Sequence, residues 1–362
     1  MESSLFFGLS TMAYILAMVV YITYIGFRKK AIGVTASGLT MFGFASQTLA
    51  ILLRWKEFYQ ISGMGLLRSI PLTNLYESLV FFVWCLILGY LIVEFRYKNR
   101  SFGAFVTPVA ALALLFISLS GMSTQIEPLV PALQSNWLLA HVTLSFISYS
   151  AFALSFSTGL MYLIATTKRG EGAYAFWTVT LGVFLAVLMA MVLDFIRFKA
   201  AGLAPGSEEF IKSFLFKSTY KNPEASMRLV SYLATILIIF LTWRYGGALK
   251  RIIEGFKLQP ATLDEITYKA VAIGFPIFTL GGLIFGAIWA DQAWGVYWSW
   301  DPKETWSLIT WFIYAFYLHA RFLRGWRGHK ISVVAVMGFV AVIFTYLGVN
   351  LLLSGLHSYG SR

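Results

Sequence analysis

The chain has 362 residues, of which 59% are hydrophobic and 12% are charged, and its formal net charge is +12. Soluble domains carry about 25% charged residues, so this composition excludes an ordinary soluble protein and indicates an integral membrane protein. A basic soluble chain would suggest nucleic acid as a partner. Membrane proteins instead collect lysine and arginine in cytoplasmic loops, so we expect contact with membrane lipid and no nucleic acid.

Ten apolar runs predict transmembrane helices, which need about 20 residues each. They indicate an all-α fold, a polytopic helical bundle that forms a single membrane domain over residues 1–362. We expect the first run to be no cleavable signal peptide, because no positive charge precedes it and Arg28-Lys29-Lys30 follows it. In chain order the predicted helices cover residues 5–26, 33–53, 72–93, 103–121, 138–165, 174–196, 229–243, 270–290, 306–320 and 331–353.

The charges predict how the helices are oriented. Of the 28 lysines and arginines, 17 fall in one set of alternate loops, against five of the 16 acidic residues. The other set holds the remaining 11 of each sign and has no net charge. The positive-inside rule therefore places both termini on the outer, periplasmic-type side.

The chain has a single cysteine, Cys85, within an apolar run. One thiol forms no internal disulfide, and no C-x-x-C pair exists for redox or metal chemistry. Any thiol in the chemistry of this protein is therefore expected to belong to a partner.

Half of the 12 tryptophans fall between Trp289 and Trp311, where the chain reads WADQAWGVYWSWDPKETW over residues 289–306. We predict an outward Trp-rich loop over these residues that binds a large, flat, apolar ligand. The alternative is an aromatic belt at the membrane surface, which would account for two or three of the rings. Asp301-Pro302 and Glu304 predict a helix start with a capping box that holds the loop rigidly.

The chain has four histidines. His141 stands at the outer start of the predicted fifth helix, and His357 follows the outer end of the tenth. Imidazoles on the two faces of a planar macrocycle form a six-coordinate haem arrangement. For each histidine alone, the alternative is a hydrogen-bonded structural side chain.

The other two histidines are predicted near the cytoplasmic side. His319 follows Trp306 by 13 residues on the ninth helix, which is about 20 Å along the axis. A neutral imidazole at membrane depth could ligate iron, and the alternative is an interfacial histidine beside Arg321. We interpret His329 as part of a basic inner loop.

The residues 294–306 closely resemble the tryptophan-rich "WWD" signature of haem-handling proteins. Residues 71–78, 129–142 and 311–321 are similar to the CcsA family, the membrane subunit of the System II cytochrome c synthase. The resemblance covers residues 70–170 and 265–358.

The resemblance implies a set of site residues for haem b, which is both substrate and transient ligand. His141 and His357 would be its axial ligands on the outer face, and His319 would receive it within the membrane. Asp301 joins His141 and His357 in the catalytic set, where we expect it to organise the loop rather than act as an acid. The rings that would hold the haem are Trp294, Tyr297, Trp298, Trp300 and Trp306.

The resemblance further implies haem transport and covalent attachment. Haem would be joined by thioether bonds to the C-x-x-C-H segment of apocytochrome c, the activity of a haem lyase or holocytochrome c synthase. Its partners would be apocytochrome c and the proteins that keep its thiols reduced. A bacterial plasma membrane is favoured over a thylakoid membrane.

Two departures from the family pattern affect this interpretation. Residues 171–244 are predicted as an insertion of two extra helices joined by an outer loop. The first four predicted helices contain no histidine to face His319, which indicates that a CcsB-type membrane subunit supplies that ligand. The alternatives that stay open are a haem exporter or chaperone and a respiratory cytochrome b subunit.

Overall fold

The computed structural model describes residues 2–63, 65–72, 74–119, 134–200, 202, 225–255, 258–349 and 353. These residues form long helices and no strands, which confirms the predicted all-α bundle and its ten helices. Short 3-10 helices cover Leu66–Ser69 and Arg100–Phe102. The long helices are α1 (Glu2–Phe27), α2 (Lys30–Ser62), α3 (Leu75–Tyr97), α4 (Gly103–Leu119), α5 (Asn136–Thr166), α6 (Gly172–Ala200), α7 (Ala225–Glu254), α8 (Pro260–Trp294), α9 (Pro302–Leu323) and α10 (His329–Gly348).

Within the described ranges, nine of these helices are long and apolar enough to cross a membrane. The exception is α9, which carries Lys303, Glu304 and Arg321 near its ends. Since α9 packs against both α8 and α10, it belongs to the same bundle. The protein is therefore a polytopic membrane protein.

Several helices extend beyond the predicted apolar runs. α2 continues to Ser62, α7 runs from Ala225 to Glu254, and α8 begins at Pro260. Apolar runs end where charges begin, but the backbone can stay helical while long basic side chains reach out to the interface. The predicted inner loop 244–269 is therefore mostly helical in the residues described.

Neighbouring helices pack antiparallel through hydroxyl and amide contacts. Tyr14 donates to Gln47 Oε1 at 2.8 Å between α1 and α2. Gln47 Nε2 in turn donates to the carbonyl of Val80 in α3 at 2.9 Å. Side-chain partners inside the bundle replace the water that the membrane does not provide.

Helix α5 lies at the centre and packs against α3, α8 and α10. Thr158 and Thr267 share a hydrogen bond of 2.8 Å between α5 and α8. Ser150 donates to the carbonyl of Phe82 in α3 at 3.1 Å. The helix that carries His141 is thus held on several sides.

Helices α6 and α7 correspond to the predicted insertion and pack mainly on each other. Gly182 permits this close approach, since an added Cβ would lie 2.8 Å from the Cα of Ile239. Trp177 attaches the pair to the end of α5 by donating to Thr167 Oγ1 at 2.8 Å. Of the predicted outer loop between these two helices, residues 201 and 203–224 lie outside the described residues.

Polar contacts between helices show which helix ends lie together at each end of the bundle. At one end Arg321 forms an ion pair of 2.7 Å with Asp264, and His329 contacts Thr166. At the other end Ser135 donates to Gln292 Oε1 at 2.8 Å. The start of α5 and the end of α8, where the tryptophans concentrate, therefore meet at the end of the bundle opposite the Asp264–Arg321 pair.

Candidate functional site

The Trp-rich segment is divided between a helix and a loop. Trp289 and Trp294 belong to the last turns of α8, which ends at Gly295 with a left-handed φ of 74°. Only the stretch from Gly295 to Asp301 is loop, before α9 begins at Pro302. The predicted loop over residues 289–306 is therefore shorter than its sequence suggested.

The predicted capping box is confirmed at the start of α9. Asp301, which is buried, accepts a hydrogen bond from the Lys303 amide at 3.1 Å. Glu304 accepts from the amides of Ser299 at 2.8 Å and Asp301 at 3.2 Å. Both carboxylates are used to satisfy the helix N-terminus and the loop, as expected for residues that organise the loop.

The aromatic rings form separate groups. Trp289 and Trp294 contact each other at the end of α8, with centroids 4.8 Å apart. In the loop, Trp298 and Trp300 meet edge to face at 5.8 Å. Tyr297 and Trp300 are 61% and 68% exposed, so they offer large apolar surfaces to a ligand. Trp306 instead packs on Phe344 of α10 at 4.2 Å.

Trp300 has a strained backbone, with φ at +60°. This left-handed conformation costs a residue with a side chain about 1–2 kcal/mol. The ring receives little packing in return, because most of it is exposed. Strain of this kind is concentrated at functional sites.

His141 lies on the second turn of α5, half-buried against α8. Its Nδ1 is 2.7 Å from the carbonyl oxygen of Gly281. Since a carbonyl oxygen only accepts, Nδ1 carries a proton, and the neutral form of this ring has its lone pair on Nε2. The ring also stacks on Trp289, with centroids 6.3 Å apart and planes inclined by 14°.

The carbonyl that orients His141 belongs to a π-helical segment, Thr279–Phe285. Such segments are rare and occur often at functional sites. Two glycines bring α8 close to α5 here. A Cβ at Gly281 would lie 2.3 Å from the Cβ of Leu144, and one at Gly286 would lie 2.9 Å from His141 Nδ1.

Sequence reasoning missed the π-helical segment and both glycines. Gly281, Gly282 and Gly286 cluster within one apolar run. Small residues at such spacing mark close helix approach in membranes. The spacing of the glycines could therefore have predicted the close approach of the helices, whereas the sequence carries no sign of the carbonyl contact to His141.

His319 lies on the exposed face of α9, away from His141. Its neighbours along that face are Phe312, Phe316 and Leu323, which are all exposed. Arg321 instead turns into the bundle, where it pairs with Asp264 at 2.7 Å. His319 is thus an isolated imidazole on an apolar stripe.

His329 lies apart from this arrangement. His329 begins α10 and contacts Thr166 at 2.9 Å and Glu171 at 3.6 Å. These contacts indicate a structural role, at the end of the bundle that carries the Asp264–Arg321 pair. His357 lies outside the described residues. Among the part of the chain that is described, no three His, Cys, Asp or Glu side chains form a metal site. A porphyrin requires none, because its own nitrogens supply four ligands and the protein supplies only the axial ones.

Comparison with known proteins gives consistent results. A family model described as cytochrome C assembly protein matches residues 72–357. A cytochrome c biogenesis protein CcsA from Gloeobacter violaceus is 40% identical over 299 residues, covering 80% of this chain and 78% of the relative. Proteins of the same name from Trichormus variabilis and Marchantia polymorpha are 37% and 34% identical, and cover 90% and 94% of this chain and 89% and 93% of their own length.

Proposed function

The chain belongs to the CcsA family of cytochrome c assembly proteins and acts in cytochrome c maturation, and from that premise we propose that it presents haem b for attachment to apocytochrome c. Haem is the substrate, held for a time and then released as part of the cytochrome. The proposed enzyme class is a holocytochrome c synthase of the haem lyase type.

The observation that carries the proposal is the setting of His141. Its Nδ1 proton is directed to the Gly281 carbonyl, so in the neutral imidazole the lone pair that an iron ligand needs lies on Nε2. Histidines that bind metals usually donate their other nitrogen to a carbonyl or carboxylate in this way. Trp289 and Trp294 join this imidazole to the start of the Trp-rich loop.

The loop residues supply the surface for the porphyrin. Trp298, Trp300 and Tyr297 stack on or flank its plane, while Asp301 and Glu304 fix the loop that presents them. His357 would be the second axial ligand, opposite His141. Trp306 packs on Phe344 of α10 and so anchors the start of α9 next to this surface.

The reaction needs orientation more than acid–base catalysis. Each cysteine thiol of the C-x-x-C-H segment adds across one haem vinyl group, with sulfur bonding one carbon and hydrogen the other. No net oxidation occurs, and the thiols belong to apocytochrome c, which must arrive reduced because a disulfide has no S–H to add. Holding the thiols and the vinyl groups close together in the reactive orientation can account for much of the rate enhancement.

His319 would receive haem within the membrane before it reaches the outer site. The imidazole faces away from the bundle on an apolar stripe. A haem site shared with a second membrane protein would need a histidine on such an outward face. Helices α1 to α4 contain no histidine, so a CcsB-type subunit would provide the facing ligand. We place the Trp-rich end outside, in a bacterial plasma membrane or a thylakoid membrane.

The direct test is co-expression of the full chain with its partner subunit and an apocytochrome c. We expect His141→Ala to lower both the haem absorbance of the purified complex and the yield of cytochrome stained for covalent haem. His329→Ala is the matched control, since that histidine makes structural contacts at the opposite end. Undiminished haem and cytochrome in His141→Ala would disprove axial ligation. Haem that leaves the complex without becoming covalently attached would favour a haem exporter. Haem that stays in the purified complex and cannot be transferred would favour a cytochrome b subunit.

A further inference from the structure

A cleft lies between α1, α2 and the start of α3, apart from His141 and the Trp-rich loop. Its walls are almost entirely apolar and include four aromatic rings together with Pro71 of the connection that leads into α3. The rings are those of Phe7, Trp55, Phe81 and Trp84. Leu52, which also lines the cleft, is exposed on the outer surface of α2. The cleft therefore opens toward the lipid.

The charged residues that line the cleft form one buried ion pair, and the Thr48 hydroxyl already accepts a hydrogen bond from the Trp84 indole at 2.8 Å. Arg54 Nε donates to Glu77 Oε1 at 2.7 Å, and both side chains are only 2% exposed. The guanidinium also lies over the ring of Tyr76, 5.2 Å from its centre. Arg54 Nη2 is buried and has no hydrogen-bond acceptor among the described residues. Buried guanidinium nitrogens almost always have an acceptor, so one is missing here.

The missing acceptor should be uncharged. Arg54 is already neutralised by Glu77, so a carboxylate or phosphate beside Nη2 would also stand close to the Glu77 carboxylate. A carbonyl oxygen accepts a hydrogen bond without that repulsion. The rings on the walls favour a flat partner, since ring systems pack well on aromatic faces.

We propose that this cleft binds the ring of a quinone dissolved in the membrane, with one ring carbonyl accepting from Arg54 Nη2. The aliphatic tail of the quinone would leave past Leu52 into the lipid. The inference concerns binding alone and does not depend on the haem site.

The test uses the full chain in phosphatidylcholine nanodiscs that contain decylubiquinone at graded mole fractions. Quinones quench tryptophan fluorescence, and Trp55 and Trp84 line the cleft, so specific binding gives a saturable decrease. Arg54→Lys keeps the positive charge beside Glu77 but lacks the second nitrogen. We expect it to raise the half-saturating mole fraction about tenfold, the effect of one hydrogen bond from a charged donor.

A matched pair of variants on α3 separates the cleft from the general surface. Phe81→Leu removes a ring from the cleft and should weaken binding, while Phe95→Leu, at an exposed site, should not. If Arg54→Lys fails to fold, Arg54→Met combined with Glu77→Met removes the donor without leaving a lone buried charge and should give the same loss. Quenching that never saturates, or equal binding by Arg54→Lys, would overturn the proposal. Displacement of the quinone by a lower mole fraction of dioctanoylglycerol would assign the cleft to an ester lipid instead.

Discussion

His141 Nδ1 and the carbonyl oxygen of Gly281 lie 2.7 Å apart, across the interface between α5 and α8. Gly281 belongs to a π-helical segment, where the regular α-helical hydrogen-bond pattern of α8 is interrupted. A change in the backbone of one helix thereby fixes the proton of a histidine on another. The orientation of the imidazole thus depends on how closely the two helices approach.

Gly286→Ala should displace that imidazole. The new Cβ would lie 2.9 Å from His141 Nδ1, closer than side-chain carbon atoms approach in proteins. We expect haem affinity of the full complex, measured by absorbance titration, to fall about tenfold, the effect of losing one well-placed hydrogen bond. Gly247→Ala is the control, because nothing lies within 4 Å of a Cβ there. Equal affinity in the two variants would contradict the role of the glycine.

Trp300→Gly should separate stability from function. Relief of the left-handed strain is worth about 1–2 kcal/mol, and the added chain entropy of glycine costs about 0.5–1 kcal/mol. We therefore expect the free energy of unfolding to stay the same or rise by up to about 1.5 kcal/mol, while haem binding falls because the ring is lost. Trp300→Phe keeps both the strain and a ring, and should retain more haem. A glycine variant with normal haem affinity would remove Trp300 from the site.

Asp301 offers a test of its predicted role as an organiser. Asn is as good a helix N-cap as Asp but cannot act as an acid, so Asp301→Asn should keep a near-normal yield of covalent cytochrome c. Asp301→Ala should lose about 1 kcal/mol of stability and part of the yield. Loss of the yield in Asp301→Asn, with unchanged folding, would show that the carboxyl group takes part in the chemistry.

His319→Ala should affect haem only in the presence of the partner subunit. The side chain is exposed in the single chain, so its removal should change the free energy of unfolding by less than about 0.5 kcal/mol. In the complex we expect the absorbance of membrane-embedded haem to decrease. Leu323→Ala, further along the same exposed stripe, is the control. The prediction is wrong if both variants retain the same haem signal.

Much of the fold follows from the sequence because long apolar runs predict where a membrane chain crosses the bilayer as helices. The bounds were less predictable, since the ends of α2, α7 and α8 continue through charged residues. The capping box was predicted because Asp301, Pro302 and Glu304 have a local signature. The π-helical segments carry no such signature, and the exposed face of His319 depends on packing against α8 and α10. The stacking of Trp289 on His141 likewise requires the tertiary structure.

Ser78 at the start of α3 and Tyr346 near the end of α10 share a hydrogen bond of 2.6 Å, although 268 positions separate them in the chain. Tyr346 lies in the second π-helical segment, Phe344–Gly348, and its ring packs on Phe146 of α5. During synthesis, the early helices must therefore wait for the last one before this end of the bundle can close. A chain that ends before Tyr346 therefore lacks the contact that closes this end of the bundle.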